Sequence, residues 1–162
     1  MHKLVCNTSP LQYLHQIGCL EIVKQLAAEV LVPPAVVEEL SVGHNHGLDL
    51  PDVEGLTWIQ VREPASAPAL PIATDLGRGE SQVLALVLEH PGFVAVLDDA
   101  HARSVAEALH LPLTGTLGLL LAAKTRGLIP SVSKALDALD AHRFRVSPAT
   151  REAVLRLAGE AT

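Results

Sequence analysis

Aromatic side chains are almost missing from this chain: two Phe, one Tyr and one Trp make up 2% of its 162 residues. Ring packing cannot carry its core, so the 49% of residues that are hydrophobic must build an aliphatic one. Cysteine is nearly as scarce. Cys6 and Cys19 have no CxxC spacing and no further cysteine to complete a zinc set, so both read as reduced core thiols rather than a disulfide. Charged residues reach only 19%, which together with the high apolar content excludes a disordered chain. No apolar run approaches membrane-spanning length, and no apolar signal region follows the Met-His-Lys start. A cytoplasmic protein with no membrane partner is expected.

What remains is one ordinary domain's worth of chain. At 17.1 kDa, residues 1–162 are long enough to bury a sizeable core as a single domain without staples. The formal net charge of -6 is unevenly spread: residues 1–119 carry 5 basic and 14 acidic side chains, residues 120–162 carry 7 and 4. The late bases, Lys124, Arg126, Lys134, Arg143, Arg145, Arg151 and Arg156, suit either a solvated helical surface or a phosphate-contacting edge beside an acidic pocket.

Apolar runs alternate with helical periodicity along the chain. Strands are expected at residues 3–6, 29–33, 56–62, 93–98 and 111–115. Helices are expected from Ser9, as N-cap, and Pro10 to Gly18, over 20–28, from Pro33-Pro34 to Leu40, and over 78–89, 100–110 and 116–127. Two more fall near 131–142 and 148–159. Residues 41–55, "SVGHNHGLDLPDVEG", read as an exposed loop, and "EPASAPALP" as a connector too short for a domain linker. Strands separated by helices imply a three-layer α/β/α fold around a parallel sheet of four or five strands. In such sheets the binding crevice lies at the carboxyl ends of the strands.

Polar residues just after apolar runs are therefore the first candidates. Asn7 follows the first strand. Glu39 borders the apolar face of "PPAVVEEL", whereas Glu38 points farther toward solvent. Glu80 shares the stripe of Val83, Leu84 and Val87, so its carboxylate needs a partner or a metal. Asp98 and Asp99 end a strand side by side, and repel unless one turns outward or a cation sits between them.

Each also has a plainer reading. Asn7 suits a turn, Glu39 a helix surface, Glu80 a first turn favoured by the helix dipole, and Asp99 an N-cap. Taken together they are acids from separate segments converging on the crevice, a set that suits Mg²⁺ or Mn²⁺ held through few protein oxygens. Arg78 and Arg103 flank Glu80 and Asp99, as surface ion pairs or phosphate contacts. His44 and His46 in a Gly-rich loop are weak evidence for a metal, and Trp58 reads as core or as a base-stacking surface. Paired aspartates this late in the chain fit a receiver-type phosphoacceptor poorly. The apolar faces of "LQYLHQI" and "EIVKQLA" suit a symmetric dimer or the core alike.

Five segments, "VCNTSPLQYL", "VLVPPAVVEEL", "LGRGESQVLALVLE", "VLDDAHARSVAEALHLPLTGTLGLLLAAKTRGLIPSV" and "FRVSPATREAVLRLAGE", resemble the small prokaryotic PIN-domain proteins. The resemblance is to the branch known as a domain of unknown function and predicted nucleic-acid-binding protein, and it spans nearly the whole chain. It implies a PIN-like fold and a metal-dependent endoribonuclease of VapC-like type, the toxin of a pair with a small antitoxin, commonly a homodimer. It implies cleavage of RNA to 3′-hydroxyl and 5′-phosphate ends. Residue by residue, the family's first acid falls on Asn7, the others on Glu39, Glu80 and Asp99, with Asp98 an adjacent ligand. Its hydroxyl after the first acid falls on Thr8 or Ser9, and Thr114 and Thr116 lie at the next strand end, within reach of a phosphate. Asparagine at position 7, where active members usually carry aspartate although the resemblance implies that this branch often tolerates asparagine, leaves open an alternative: a PIN-like module that binds RNA or protein without cutting.

Overall fold

The computed structural model describes residues 2–65 and 75–161. Five short strands form one sheet: β1 (His2–Cys6), β2 (Ala27–Val32), β3 (Ile59–Val61), β4 (Phe93–Val96) and β5 (Leu113–Thr114). All pairings are parallel and the spatial order is β3-β2-β1-β4-β5. The helices between them are α1 (Thr8–Gln16), α2 (Glu21–Leu26), α3 (Pro34–Asn45), α4 (Arg78–Glu89), α5 (Ala100–Ala108) and α6 (Thr116–Thr125). After the sheet come α7 (Val132–Ala141) and α8 (Pro148–Leu157). This is the three-layer α/β/α arrangement of a PIN-like fold.

The sheet is central because its strands are apolar on both faces. Leu4 lies between Val30 and Val94, and Val5 between Leu31 and Ala95, all but Val94 buried. Leu84 and Leu86 of α4 and Leu120 of α6 complete an aliphatic core, with no aromatic ring among its fully buried large side chains. Cys6 and Cys19 are both free thiols; burial, then the charge of Asp98, pushes the Cys6 thiol up to about 12.

The chain order makes β1 the pivot. Successive strands move outward through β2 and β3, after which the chain returns to β4 on the other side of β1. The ends of β1 and β4 therefore flank a topological switch point, where a doubly wound sheet opens its crevice. Asn7 and Asp98 are the residues that leave those two strands.

Four local expectations change. The first helix begins at Thr8 with Asn7 as its N-cap position, two residues before the expected Ser9. α3 runs on to Asn45, through part of the stretch read as loop, because Gly43 offers a bare surface against which Leu50 packs. The strand expected over 56–62 shrinks to Ile59–Val61, and a 3-10 turn occupies Val53–Gly55. α2 stops at Leu26, so β2 begins earlier than residue 29. Residues 66–71 of the connector lie outside the described residues. The apolar faces of α1 and α2, considered for a dimer, are spent in the core: Leu11, Leu14, Ile22, Val23 and Leu26 are all buried. Among the described residues no helix is long and apolar enough to cross a membrane.

Candidate active site

β1 delivers Asn7 to the crevice and fixes its backbone, whose N–H donates to the Val96 carbonyl at 3.1 Å. The side chain is 4% exposed, yet it does not cap α1, and Oδ1 has no hydrogen-bond partner among the described residues. An orphaned buried amide oxygen costs about 1–3 kcal/mol. The turn reading of Asn7 would have supplied a partner, and the geometry supplies none.

What faces that oxygen is another acceptor. A Cβ placed on Gly79 would stand 3.1 Å from Asn7 Oδ1 and 2.7 Å from Glu39 Oε1. The two oxygens thus converge on the bare backbone of the first turn of α4, a cradle that any larger residue would fill. Glu39 arrives from α3, and Thr8, the first residue of α1, donates a short hydrogen bond to its other oxygen, Oε2. Glu80, also in the first turn of α4, folds its carboxylate back over Gly77.

A second carboxylate is held on the β4 side. Asp98 accepts from the Thr116 N–H at 2.8 Å, from the Thr116 hydroxyl at 2.7 Å and from the Ser9 hydroxyl at 3.0 Å. Consecutive hydroxyls of α1 therefore hold two acids, Thr8 gripping Glu39 and Ser9 gripping Asp98 across the switch point. Asp99 turns outward, is exposed, and caps α5 by accepting from the Ala102 N–H at 2.8 Å. The adjacent aspartates thus separate, one into the crevice and one to solvent.

The remaining candidates divide. Arg78 pairs with Glu38 at 3.0 Å on the surface. Arg103 donates from Nη1 to the Leu97 carbonyl at 2.8 Å, and a Cβ on Gly115 would meet that guanidinium, Asp98 Oδ1 and the Leu97 carbonyl, each at 2.9 Å. Thr114 lies at the end of β5, on the same side of the sheet as Asp98. Trp58 sits just before β3, at the opposite end of the sheet from the crevice, packed against the core. His44 and His46 are exposed near the C-terminus of α3, remote in role from the acids, and His46 Nδ1 lies 2.7 Å from the Val42 carbonyl.

The donor set fits a hard divalent cation, by chemistry as much as by position. Asn7 Oδ1, which has no hydrogen-bond partner among the described residues, and Glu39 Oε1 are oxygens that converge on Gly79, and Mg²⁺ or Mn²⁺ takes few protein oxygens and several waters. Among the described residues no three of His, Cys, Asp and Glu close on a single point. Gly79 and Gly115 were not legible as site residues: each is recognised only by the side chains that crowd it.

A parallel sheet of this order, with oxygen ligands and hydroxyls gathered at its switch point, defines a class of α/β proteins that bind at strand ends. The chain belongs to the PIN-domain family: a family model described as DUF3368, a PIN domain, matches residues 3–160. PIN domains are as a class nucleases that use divalent metals. No curated protein and no solved structure matches the chain.

Proposed function

We propose that this chain is a Mg²⁺- or Mn²⁺-dependent endoribonuclease that hydrolyses an RNA phosphodiester at the β1/β4 switch point. The observation that carries the reading is the orphaned, buried Asn7 Oδ1 facing Glu39 Oε1 across Gly79, two oxygens that nothing in the protein satisfies together. Asn7 and Glu39 are the first holders of the ion, with Glu80 and Asp98 the further carboxylates at the crevice; Asp99, turned to solvent as the cap of α5, stands apart from them. When bound, the metal supplies a water of lowered pKa and positive charge against the phosphate oxygens.

The chain's own residues do the rest. Thr8 and Ser9 hold Glu39 and Asp98 in place, so neither acid needs to reorganise when a polyanion enters. Thr114 offers a hydroxyl at the β5 end, whereas Thr116, expected to reach a phosphate as well, is buried with its hydroxyl donated to Asp98; Arg78 and Arg103 bring positive charge to the rim. The VapC-like resemblance carries the cellular reading: a toxin in the cytoplasm, held by a small antitoxin and assembled as a homodimer. Co-expression with the product of an adjacent small gene, and the mass of the purified particle, test those partners.

Asn7 also supports a second reading, a PIN-like module that holds RNA without cutting it, because an amide contributes no charge to the ion. Incubating labelled RNA with the purified chain separates the two. Cleavage that needs Mn²⁺ or Mg²⁺, leaves 3′-hydroxyl and 5′-phosphate ends, and disappears in Glu80→Ala supports the nuclease. Cleavage indifferent to chelation and to Glu80→Ala sinks it, and retention of RNA without cleavage favours the module.

A further inference from the structure

Beside the acids runs a groove of about 430 Å³ that reaches from Asp98 to the segment joining α7 to α8. Its inner wall is Asp98, Arg103 and the β5 end; its outer wall is Phe144, Arg145 and the start of α8. That volume falls within the ~300–1,000 Å³ usual for small-ligand clefts.

It gathers two of the chain's basic side chains that make no ion pair among the described residues. Six basic side chains make ion pairs with carboxylates: Lys3, Lys24, Arg78, Lys124, Arg151 and Arg156. Among the described residues Arg62, Arg103, Arg126, Lys134, Arg143 and Arg145 have no carboxylate partner, and of these Arg103 and Arg145 line this groove. The acid between the walls, Asp98, accepts from three donors of Thr116 and Ser9 and makes no ion pair with either arginine. Arg103 is part-buried and pinned by its Nη1 bond to the Leu97 carbonyl, which fixes one cation; Arg145 is exposed and lines the same groove from the α7–α8 segment. Phe144 is held edge-on to Tyr13 at 4.9 Å between ring centroids and supplies an apolar flank.

Two guanidiniums without a carboxylate partner, lining one cleft together with hydroxyls and an aromatic ring, match a sugar-phosphate backbone with its base lying to one side. We infer that this groove seats the nucleotide next to the scissile bond, its phosphate held between Arg103 and Arg145. The inference rests on the nuclease reading for its direction, since the groove leads away from the proposed metal cradle. The α7–α8 segment is thereby a substrate-positioning wall rather than a mere closing turn.

Binding of a fluorescent single-stranded oligoribonucleotide by the full chain in EDTA tests it apart from catalysis. Arg145→Ala, at an exposed position, should weaken binding about fivefold and lower the slope of log affinity against log salt by about one. Lys134→Ala, an exposed base on α7 outside the groove, should leave both unchanged. Equal losses in the two variants, no loss in Arg145→Ala, or no binding by the parent chain would overturn the inference. A parent chain that cuts RNA while Arg145→Ala binds normally keeps the nuclease and removes the groove. Arg145-dependent binding with no cleavage in Mn²⁺ does the reverse.

Discussion

Asn7 is the residue on which the site turns, because burial and isolation act on it together. An amide whose oxygen is shielded and unpartnered is destabilising unless something electropositive arrives, and an oxygen of Glu39 converges with it on Gly79. Replacing it by a carboxylate sharpens the conflict. Asn7→Asp should lower the melting temperature of the metal-free protein at neutral pH, with Mn²⁺ restoring it; a variant as stable as the parent without metal would mean position 7 is more solvated than the geometry indicates. Gly79 gives the complementary test. The side chain added by Gly79→Ala meets the flexible end of Glu39, so the helix tolerates it, but Glu39 must swing away from Asn7. The expected outcome is a melting temperature within a few degrees of the parent and several-fold weaker Mn²⁺ binding by calorimetry; unaltered Mn²⁺ binding would separate the cradle from the metal.

At the scale of elements, the legible and the hidden parts of the fold have different physical origins. Strands such as Phe93–Val96 stood out because both faces are buried, which leaves an unbroken apolar run bounded by Gly92 and Asp98. The extension of α3 through Gly43 did not, since glycine and histidine read as breakers and only Leu50, a distant residue, explains why a bare position is useful there. The candidate acids were found from strand ends and helix faces alone. Which of Asp98 and Asp99 enters the crevice was not, because the choice is made by Thr116 and Ser9 from other segments. The closing element is likewise fastened from afar: Glu160 accepts from the Val132 and Ser133 N–H groups at 2.6 and 2.9 Å and lies 3.3 Å from Lys124 Nζ. Those backbone donors at the start of α7, followed by Lys124 and the Ser131 hydroxyl, hold the Glu160 carboxyl down to about 2. Because the folded value is depressed, the stabilisation is present above the ordinary carboxyl range of about 4.5 and is lost as pH falls through about 2. Glu160→Gln should therefore melt lower than the parent at pH 7, with the gap narrowing between pH 4 and pH 2; a gap constant with pH would make the latch non-ionic.

The whole molecule separates its tasks by position. An aliphatic core centred on β1 and β2 carries stability, and the carboxyl edge of the same strands carries chemistry. Leu31→Ala, a fully buried change in β2, should cost about 2–5 kcal/mol in denaturant unfolding, whereas Glu39→Gln at the exposed edge should leave the unfolding midpoint close to the parent. Similar losses in both would mean that the edge is structural. The uneven charge follows the same division, with acids around the crevice and unpaired arginines on the groove that leads from it. The account stands most directly on whether position 7 faces a metal, which a Mn²⁺ titration followed by electron paramagnetic resonance reads in the parent and in Asn7→Asp. The added charge should tighten binding on the order of tenfold; equal affinity in the two proteins would contradict the account, because Asn7 would then lie outside the metal's reach.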